Sequence, residues 1–244
     1  MKLLLLALCF TRFAQSQVLI SGYDDVLRQS NNTSFINVAK HFFEPDKGYT
    51  GMNRLYKMIL KRTNQDQFHL VSATPSFFGS HVAEFLNTQD YPPHKIHLRS
   101  VLTQPFLGSY RREKIKDLCP DKNCIWIADN SDSVLDVMKD LKDWKGSLYV
   151  RETIKKQYPA HVKTYLTTFD LALHELRSGR VSKKDVEAVL VDLLGETDSE
   201  GLIPGYAYCP LDYDPCELGI FPLCERFKLK IQAICSKRSK KEES

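Results

Sequence analysis

Acidic and hydroxyl side chains directly follow three of the short apolar runs in this 244-residue chain. They occur in Gly22-Tyr23-Asp24-Asp25, in Ser72-Ala73-Thr74 and in Ala128-Asp129-Asn130-Ser131-Asp132. If the apolar runs are parallel strands, these residues lie at their carboxyl ends, where doubly wound sheets bind ligands. Carboxylates and hydroxyls together can hold Mg²⁺ and a phosphate, because magnesium prefers hard oxygen ligands. The alternative is that Asp and Ser only cap the following helices, but three such ends together favour a ligand site.

The apolar runs alternate with amphipathic segments, as expected of a parallel sheet flanked by helices. The predicted strands cover Val18 to Ser21, His69 to Ser72, Lys95 to Leu98, Ile125 to Ala128 and Ser147 to Val150. Helices are predicted where apolar residues recur at helical spacing. These segments run from Met52 through Leu55 and Tyr56 to Ile59, from Val82 through Phe85 to Leu86, from Arg111 to Leu118, and from Val134 through Met138 to Leu141. The pattern predicts an α/β, Rossmann-like fold.

The pattern changes from about His161 onward. Two longer helices are predicted, one near Thr164 to Arg177 and one with Ser182 as N-cap that ends at Gly195. The charged end, Ser236 to Ser244, is predicted to be disordered. We therefore divide the chain into a signal peptide (1–16), an α/β domain (17–160), a helical cover (161–205) that continues it, and a cysteine-rich tail (206–244).

The first 16 residues have the pattern of a secretory signal peptide, with Lys2, an apolar run from Leu3 to Phe10, and small residues at Ala14 and Ser16. The alternative is a membrane anchor, but eight apolar residues are far fewer than the roughly 20 that cross a bilayer. No later segment is long and apolar enough to span a membrane. We therefore expect a protein of the secretory lumen or the extracellular space.

Six cysteines remain after signal removal, and an even number in an oxidising compartment favours disulfides. Zinc is the alternative, but there is no CxxC pair and no histidine after His174. Asn31 and Asn32 begin overlapping sequons, so either could carry a glycan. The sequence leaves the pairing open, although Cys119 and Cys124 are close enough for a local bridge. The six are Cys119, Cys124, Cys209, Cys216, Cys224 and Cys235.

The overall charge and the remaining motifs argue against several functional classes. The net charge is +4, and +2 without Lys2 and Arg12, which is too small to predict nucleic-acid binding. The histidines lack ligand spacing such as HExxH. The turn around Ser72 lacks the GxSxG form of many serine hydrolases.

From Val18 to about Ile154, the order of segments resembles the haloacid dehalogenase superfamily, and within it the catalytic domain of the actin-patch-type phosphatidate phosphatases. The most specific segment is Gln67 to Phe78, which is similar to that family's strand followed by a Ser-x-Ser-Pro turn. Other similar segments are Gly51-Met52 with Leu55-Tyr56, Ile96-His97-Leu98-Arg99 and Tyr149-Val150-Arg151-Glu152.

The resemblance implies phosphoryl transfer through an aspartyl-phosphate. The family's first strand ends in Asp-x-Asp, where the first carboxylate attacks phosphorus and the second is general acid and base. A hydroxyl after the second strand binds phosphate, a lysine neutralises its charge, and acids after the fourth strand hold Mg²⁺. By position, Asp24 corresponds to the acid/base and also lies at the metal site, while Ser72 corresponds to the phosphate-binding hydroxyl. Asp129 corresponds to the leading metal ligand, with Asp132 as the second.

The chain departs from the family pattern at its most important position, because Gly22 stands where the nucleophilic aspartate is expected. Arg111 stands in place of the lysine and keeps a positive charge for the substrate, and Ala128 replaces a glycine. We therefore expect a secreted, phosphatidate-phosphatase-like protein that binds a phosphomonoester or phospholipid head group with Mg²⁺ and is catalytically impaired. Two alternatives stay open: an active Mg²⁺-dependent phosphatase with another nucleophile, and a non-catalytic secreted interaction module.

Overall fold

The computed structural model describes residues 17–30, 47–104, 106–216 and 221–242. The predicted signal peptide and the sequons at Asn31 and Asn32 lie outside the described residues. Six parallel strands form one sheet in the order β3-β2-β1-β4-β5-β6. All five predicted strands are present, and the α/β prediction is confirmed. The strands are β1 (Leu19–Ser21), β2 (Phe68–Pro75), β3 (His94–Arg99), β4 (Ile125–Ala128), β5 (Ser147–Arg151) and β6 (Val162–Tyr165).

Strand β1 lies at the centre of the sheet. Ile20 is opposite His69 of β2 on one side and Trp126 of β4 on the other. The strand order reverses here, because the chain continues from β1 to β2 and β3 on one side and then returns to β4 on the other. Such a reversal opens a crevice at the carboxyl ends of the strands. The polar residues after β1, β2 and β4 therefore meet at one edge.

Eight α-helices connect or follow the strands in the described residues, and a short 3₁₀ turn (Ser76–Phe78) follows β2. Ser182 caps α6 as predicted: its hydroxyl accepts the N–H of Asp185, and the Asp185 carboxylate accepts the N–H of Ser182. The helices are α1 (Met52–Thr63), α2 (Gly79–Thr88), α3 (Leu107–Leu118), α4 (Asp132–Lys139), α5 (Thr168–Arg177), α6 (Lys183–Gly195), α7 (Ser199–Leu202) and α8 (Cys224–Glu242).

The two faces of the sheet bury separate apolar cores. One face, with Leu19 and Ile127, packs against α1, α2, α5, α6 and α8. The other, with Ile20 and Trp126, packs against α3 and α4. Side chains of a strand alternate between faces, so neighbouring residues of β1 enter different cores. Helices on both faces leave the two ends of the strands as the places where polar side chains can gather.

The prediction for residues 164–177 was wrong at its start. Thr164 belongs to β6, where Val162 and Tyr165 are buried, and α5 begins only at Thr168. Thr167 is the N-cap of α5, because its side chain and that of Asp170 form a capping box at the start of the helix. A sixth strand therefore extends the sheet beyond β5.

The C-terminal region also differs from the prediction of a disordered charged end, because α8 continues through Glu242. Phe227, Ile231 and Cys235 recur every four residues, so they share one face of the helix, and all three are buried in the main core. All six expected cysteines form disulfides, which pair Cys119 with Cys124, Cys209 with Cys235, and Cys216 with Cys224. Within the described residues, no helix combines the length and the apolar character needed to cross a membrane.

Candidate functional site at the carboxyl ends of β1, β2 and β4

Gly22 follows β1 and is buried against β4. Its N–H donates to the Ile127 carbonyl at 2.8 Å. A Cβ atom at this position would lie 2.9 Å from Cγ2 of Val26 and 3.7 Å from Cα of Ala128. Cβ contacts under 3 Å are essentially never tolerated, and the β-branched Val26 has few alternative rotamers. The Val26 side chain therefore occupies space that a side chain at position 22 would need, and position 22 is where the family has its attacking carboxylate.

Asp24 is the centre of a hydrogen-bond network that joins β1 to β2. Its Oδ1 accepts the Ser30 hydroxyl at 2.6 Å, and its Oδ2 accepts the Thr74 hydroxyl at 2.8 Å. The Ser72 hydroxyl is 3.5 Å from the same Oδ2, and Nη1 of Arg28 is 3.7 Å from Oδ1. The structure thus brings together Asp24 and Ser72, as the sequence predicts. It adds Thr74 as the closer hydroxyl and Arg28 as a buried cation.

A tight turn after Asp24 explains why Arg28 and Ser30 face back toward it. Asp25 adopts a left-handed conformation with φ of 54°, which Asp tolerates because its short side chain can hydrogen-bond locally. Its N–H donates to the Arg28 carbonyl at 2.7 Å, and its Oδ1 accepts the Ser30 N–H at 2.9 Å. The Tyr206 hydroxyl also donates to this Oδ1. The turn after β1 is therefore stabilised by hydrogen bonds within it and by one from Tyr206 of the C-terminal region.

Arg111 is a residue of α3, and its side chain lies beside the carboxyl end of β4, close to Asp129, the predicted leading metal ligand. Its Nη2 is 3.4 Å from Oδ2 of Asp129, and both groups are buried. Its Nη1 donates to the hydroxyl of Ser131 at 3.1 Å and to that of Ser133. Asp129 in turn accepts the Ser131 N–H at 2.7 Å. The structure therefore places the predicted substrate-binding cation directly against Asp129.

Asp132 occupies a different environment from Asp129. It is the first residue of α4, and its side chain is 88% exposed. Its Oδ1 accepts a hydrogen bond from Nζ of Lys156 at 2.8 Å, and this bond lowers the pKa of the Asp132 carboxyl. Lys156 also donates to the Asn130 carbonyl at 2.9 Å. Asp132 thus engages Lys156 and solvent rather than Asp129 or Arg111.

The predicted magnesium site is not supported by the arrangement of these acids. Both oxygens of Asp24 accept hydroxyl hydrogen bonds, and Asp129 already faces a guanidinium. Within the described part of the chain, the one group of three potential ligand atoms close enough to share an ion is Cys119, Asp121 and Cys124. Both of those cysteines are disulfide-bonded. The carboxylates at the sheet edge are therefore neutralised by the protein's own cations and do not fit a Mg²⁺ site as they stand.

Arg151 is a buried cation near the site that no sequence motif identifies as a site residue. Its Nη1 donates to the Leu166 carbonyl at 3.1 Å, and its Nη2 donates to the Val26 carbonyl at 3.4 Å. Its guanidinium lies over the Tyr49 ring, 3.6 Å from the ring centroid. Arg151 ends β5 within a segment that resembles the family. It holds Val26, the residue that fills the space beside Gly22.

One of three comparisons with known proteins identifies a family for this chain. Residues 17–152 match the family model described as phosphatidate phosphatase APP1, catalytic domain. That span contains β1 to β5 and every residue of the Asp24 and Asp129 networks. No curated protein and no solved structure matches the chain. Because the family model covers more than half of the chain, this protein belongs to the family of the phosphatidate phosphatase APP1 catalytic domain.

Proposed function

We propose that the site at the ends of β1, β2 and β4 binds a phosphomonoester group without forming a phosphoenzyme. The group would belong to a small molecule or a phospholipid head group. The observation that carries this proposal is the packing at Gly22, where Val26 occupies the space next to a residue without a side chain. A covalent intermediate requires an attacking group at that position. Binding requires only donors and positive charge.

The donors at this edge suit a phosphate. Ser72 and Thr74 contribute hydroxyls at the end of β2, and their oxygens are 2.9 Å apart. Arg111 contributes a buried guanidinium whose present partners at Nη1 are the serine hydroxyls of Ser131 and Ser133. Charge-assisted bonds from a guanidinium to phosphate are stronger than bonds to neutral hydroxyls. A phosphate entering the site would therefore replace the serine contacts of Nη1 with stronger, charge-assisted bonds.

An active phosphatase with another attacking group is the competing hypothesis. The contact that favours it is the Thr74 hydroxyl, which donates to Oδ2 of Asp24 at 2.8 Å. A carboxylate in this position could remove the hydroxyl proton as a general base. Loss of the normal nucleophile costs many orders of magnitude in rate unless such a substitute works.

Calorimetric titration of residues 17–244 tests the binding. The ligands are inorganic phosphate and dihexanoyl phosphatidate, a soluble short-chain lipid. Arg111→Gln should lower the affinity for both by at least about tenfold, since a hydrogen bond to a charged group contributes about 1.5–3 kcal/mol. The matched control is Arg112→Gln, because Arg112 is the adjacent arginine, is exposed and pairs with Asp140. Equal affinities for the two variants would contradict the proposal.

Phosphate release from an aryl phosphate and from phosphatidate tests the catalytic part. With and without Mg²⁺, the rate should equal that of the Asp24→Asn variant. A Mg²⁺-stimulated rate that is lost in Asp24→Asn would contradict the non-catalytic proposal and support the alternative. Absence of both binding and release would leave the interaction-module hypothesis.

We also propose that the protein acts in the secretory pathway or outside the cell. The three disulfides fit such an oxidising compartment. Mass spectrometry of the protein recovered from the medium of expressing cells should give an N-terminus at Gln17 and a glycan at Asn31 or Asn32. A chain that stays in the cytosol with Met1 and free thiols would contradict this part of the proposal.

A further inference from the structure

Tyr206 lies outside the segment that matches the family, but its hydroxyl contacts the candidate site. The family model ends at residue 152. The Tyr206 hydroxyl donates to Oδ1 of Asp25, which is buried and is the residue next to Asp24. The two contacting residues are 181 positions apart in the sequence. A residue of the C-terminal region therefore contacts the turn at the carboxyl end of β1.

The segment that carries Tyr206 is attached to the rest of the fold on both sides of this residue. Before it, the Pro204 carbonyl accepts a hydrogen bond from Nη1 of Arg238 at 2.7 Å. After it, the Tyr208 N–H donates to the Thr153 carbonyl at 2.8 Å. The fold therefore fixes the position of the Tyr206 hydroxyl from both directions along the chain.

The turn after β1 connects the contact at Asp25 to Asp24. Oδ1 of Asp25 accepts the Ser30 N–H at 2.9 Å in addition to the Tyr206 hydroxyl, and the Asp25 N–H donates to the Arg28 carbonyl at 2.7 Å. Ser30 and Arg28 are also the residues whose side chains face Oδ1 of Asp24, at 2.6 Å and 3.7 Å. The turn that Tyr206 contacts therefore holds two partners of the Asp24 carboxylate.

A second residue of the C-terminal region contacts the chain beside this turn. The Glu200 carbonyl accepts a hydrogen bond from Nε2 of Gln29 at 2.7 Å, and the Glu200 carboxylate pairs with Nζ of Lys47 at 2.9 Å. The ion pair is exposed and contributes little stability. We therefore attribute the attachment of the turn mainly to the hydrogen bonds of Gln29 and Tyr206.

The order of this turn matters for an anion because Asp24 is itself negative. The Ser72 hydroxyl is 3.5 Å from Oδ2 of Asp24, so a phosphate bound to that hydroxyl would lie close to a carboxylate. Like charges at such a distance repel each other. Arg28 is buried, so its charge is screened little by solvent and offsets that of Asp24. A turn that keeps Arg28 and Ser30 in place therefore lowers the repulsion that a phosphate meets.

We propose that Tyr206 is a positioning residue of the candidate site, because its hydrogen bond to Asp25 fixes the turn that holds Arg28 and Ser30 against Asp24. The inference rests on the proposed function, since its effect on phosphate binding presupposes the phosphate site. Tyr206 acts through Asp25 and not by contact with the phosphate. The site thereby depends on a region that the family model does not cover.

Amide hydrogen exchange of residues 17–244 tests the contact without any ligand. Tyr206→Phe removes the hydroxyl and keeps the ring. The amides of Asp25 and Ser30 should exchange at least about tenfold faster in this variant, because the turn loses a hydrogen bond to a charged group. The matched control is Tyr208→Phe, since the Tyr208 hydroxyl has no hydrogen-bond partner in the described part of the chain. The control should leave both exchange rates unchanged.

Calorimetric titration with inorganic phosphate tests the effect on the site. Tyr206→Phe should weaken binding by about threefold, the size of effect expected from a residue that acts through its neighbours. Ser30→Ala should also weaken binding, because it removes the hydroxyl that Asp24 accepts. The double variant should lose less than the product of the two single losses, since both changes act on the same turn. Tyr208→Phe should bind phosphate as the unmodified chain does.

The outcomes separate this inference from the proposed function. Faster exchange at Asp25 and Ser30 with unchanged phosphate affinity would overturn the inference, because Tyr206 would then only support the fold. Equal exchange rates in Tyr206→Phe and Tyr208→Phe would overturn it as well, as would affinity losses that multiply in the double variant. Failure of the unmodified chain to bind phosphate would contradict the proposed function, whereas the exchange rates would still decide whether Tyr206 holds the turn.

Discussion

The sheet edge that carries the candidate site and the C-terminal region differ in the groups that they bury. At the ends of β1 and β4, Asp24 and Asp129 lie against arginines and hydroxyls. Desolvation offsets most of what such buried pairs gain, so they contribute little net stability. The C-terminal region instead buries Phe227, Ile231 and Cys235 in the main core and is cross-linked. We therefore expect changes in the C-terminal region to lower stability more than changes at the sheet edge, where we propose binding.

The largest loss of stability is expected from removing Phe227, the main apolar side chain that α8 buries. Phe227 is fully buried, and its ring lies edge-on to Phe169 with centroids 5.5 Å apart. Phe227→Ala should lower the free energy of unfolding by about 3–5 kcal/mol, since it removes buried area and leaves a cavity. Leu229→Ala, on the exposed side of the same helix, should change it by less than about 0.5 kcal/mol. Urea unfolding measures both, and a similar loss in the two variants would contradict the packing described for α8.

The disulfides provide the second test, because their effects should rank by the length of chain they close. Cys209 and Cys235 are separated by 26 positions, and Cys119 and Cys124 by 5. The loop-entropy model predicts a loss of about 3.5 kcal/mol for Cys209→Ser/Cys235→Ser and about 2 kcal/mol for Cys119→Ser/Cys124→Ser. Phosphate affinity below the melting range should stay unchanged in both. Thermal unfolding of the two double variants gives the order, and a larger loss from the short loop would contradict it.

A substitution at Gly22 tests the sheet edge, and we expect it to lower the free energy of unfolding by less than the changes in the C-terminal region. Gly22→Ala should cost about 1–3 kcal/mol, because the new methyl group meets Cγ2 of Val26 at 2.9 Å. Val26→Ala creates a cavity of its own, but in the double variant that cavity accepts the methyl group. The two losses should therefore be non-additive by at least about 0.5 kcal/mol in the stabilising direction. A double-mutant cycle in urea measures this coupling, and simple additivity would show that Val26 does not close the position.

The sequence predicted those parts of the fold whose local signals agree with the tertiary structure. Strands β1, β4 and β5 are short, buried and mainly apolar runs, and Ser182 with Asp185 forms a capping box that is readable from its spacing. Strand β6 is short and carries Lys163 and Thr164 between its buried ends, so it resembles a loop or a helix start. The last turns of α8, from Ser236 to Glu242, are rich in lysine, so this segment resembles a disordered tail in the sequence.

The same distinction applies to the candidate site. The meeting of Asp24 and Ser72 follows from parallel strands that end at one edge, so sequence reasoning could find it. The roles of Arg28 and Ser30 depend on the left-handed turn at Asp25, which Tyr206 helps to hold from 181 positions away. The pairing of Arg111 with Asp129 depends on how α3 packs beside β4. Contacts between distant segments decide these details, and one sequence does not contain them.

The smallest expected effect is an acid sensitivity that arises outside the site network. Burial lowers the pKa of His69, His97 and His174 below the usual value of 6.5. The folded protein therefore holds these rings neutral, while the unfolded chain binds protons as the pH falls through 6.5. Stability is full above pH 6.5 and decreases below it. We expect the melting temperature to fall by a few degrees between pH 7.5 and pH 5, at roughly 2–4 °C for each kcal/mol lost.

Two variants test whether the stacked pair His69 and His97 or the separate His174 causes this acid sensitivity. His69 and His97 are stacked on the neighbouring strands β2 and β3, with Nδ1 and Nε2 3.0 Å apart. His174 lies on α5, where its Nε2 contacts the Thr164 carbonyl at 3.0 Å. The double variant His69→Asn/His97→Asn should flatten the pH dependence more than His174→Asn does, because protonation of either stacked ring also places positive charge beside the other. A larger flattening in His174→Asn would place the acid-sensitive contact at α5. An unchanged dependence of melting temperature on pH in both variants would exclude these histidines as its source.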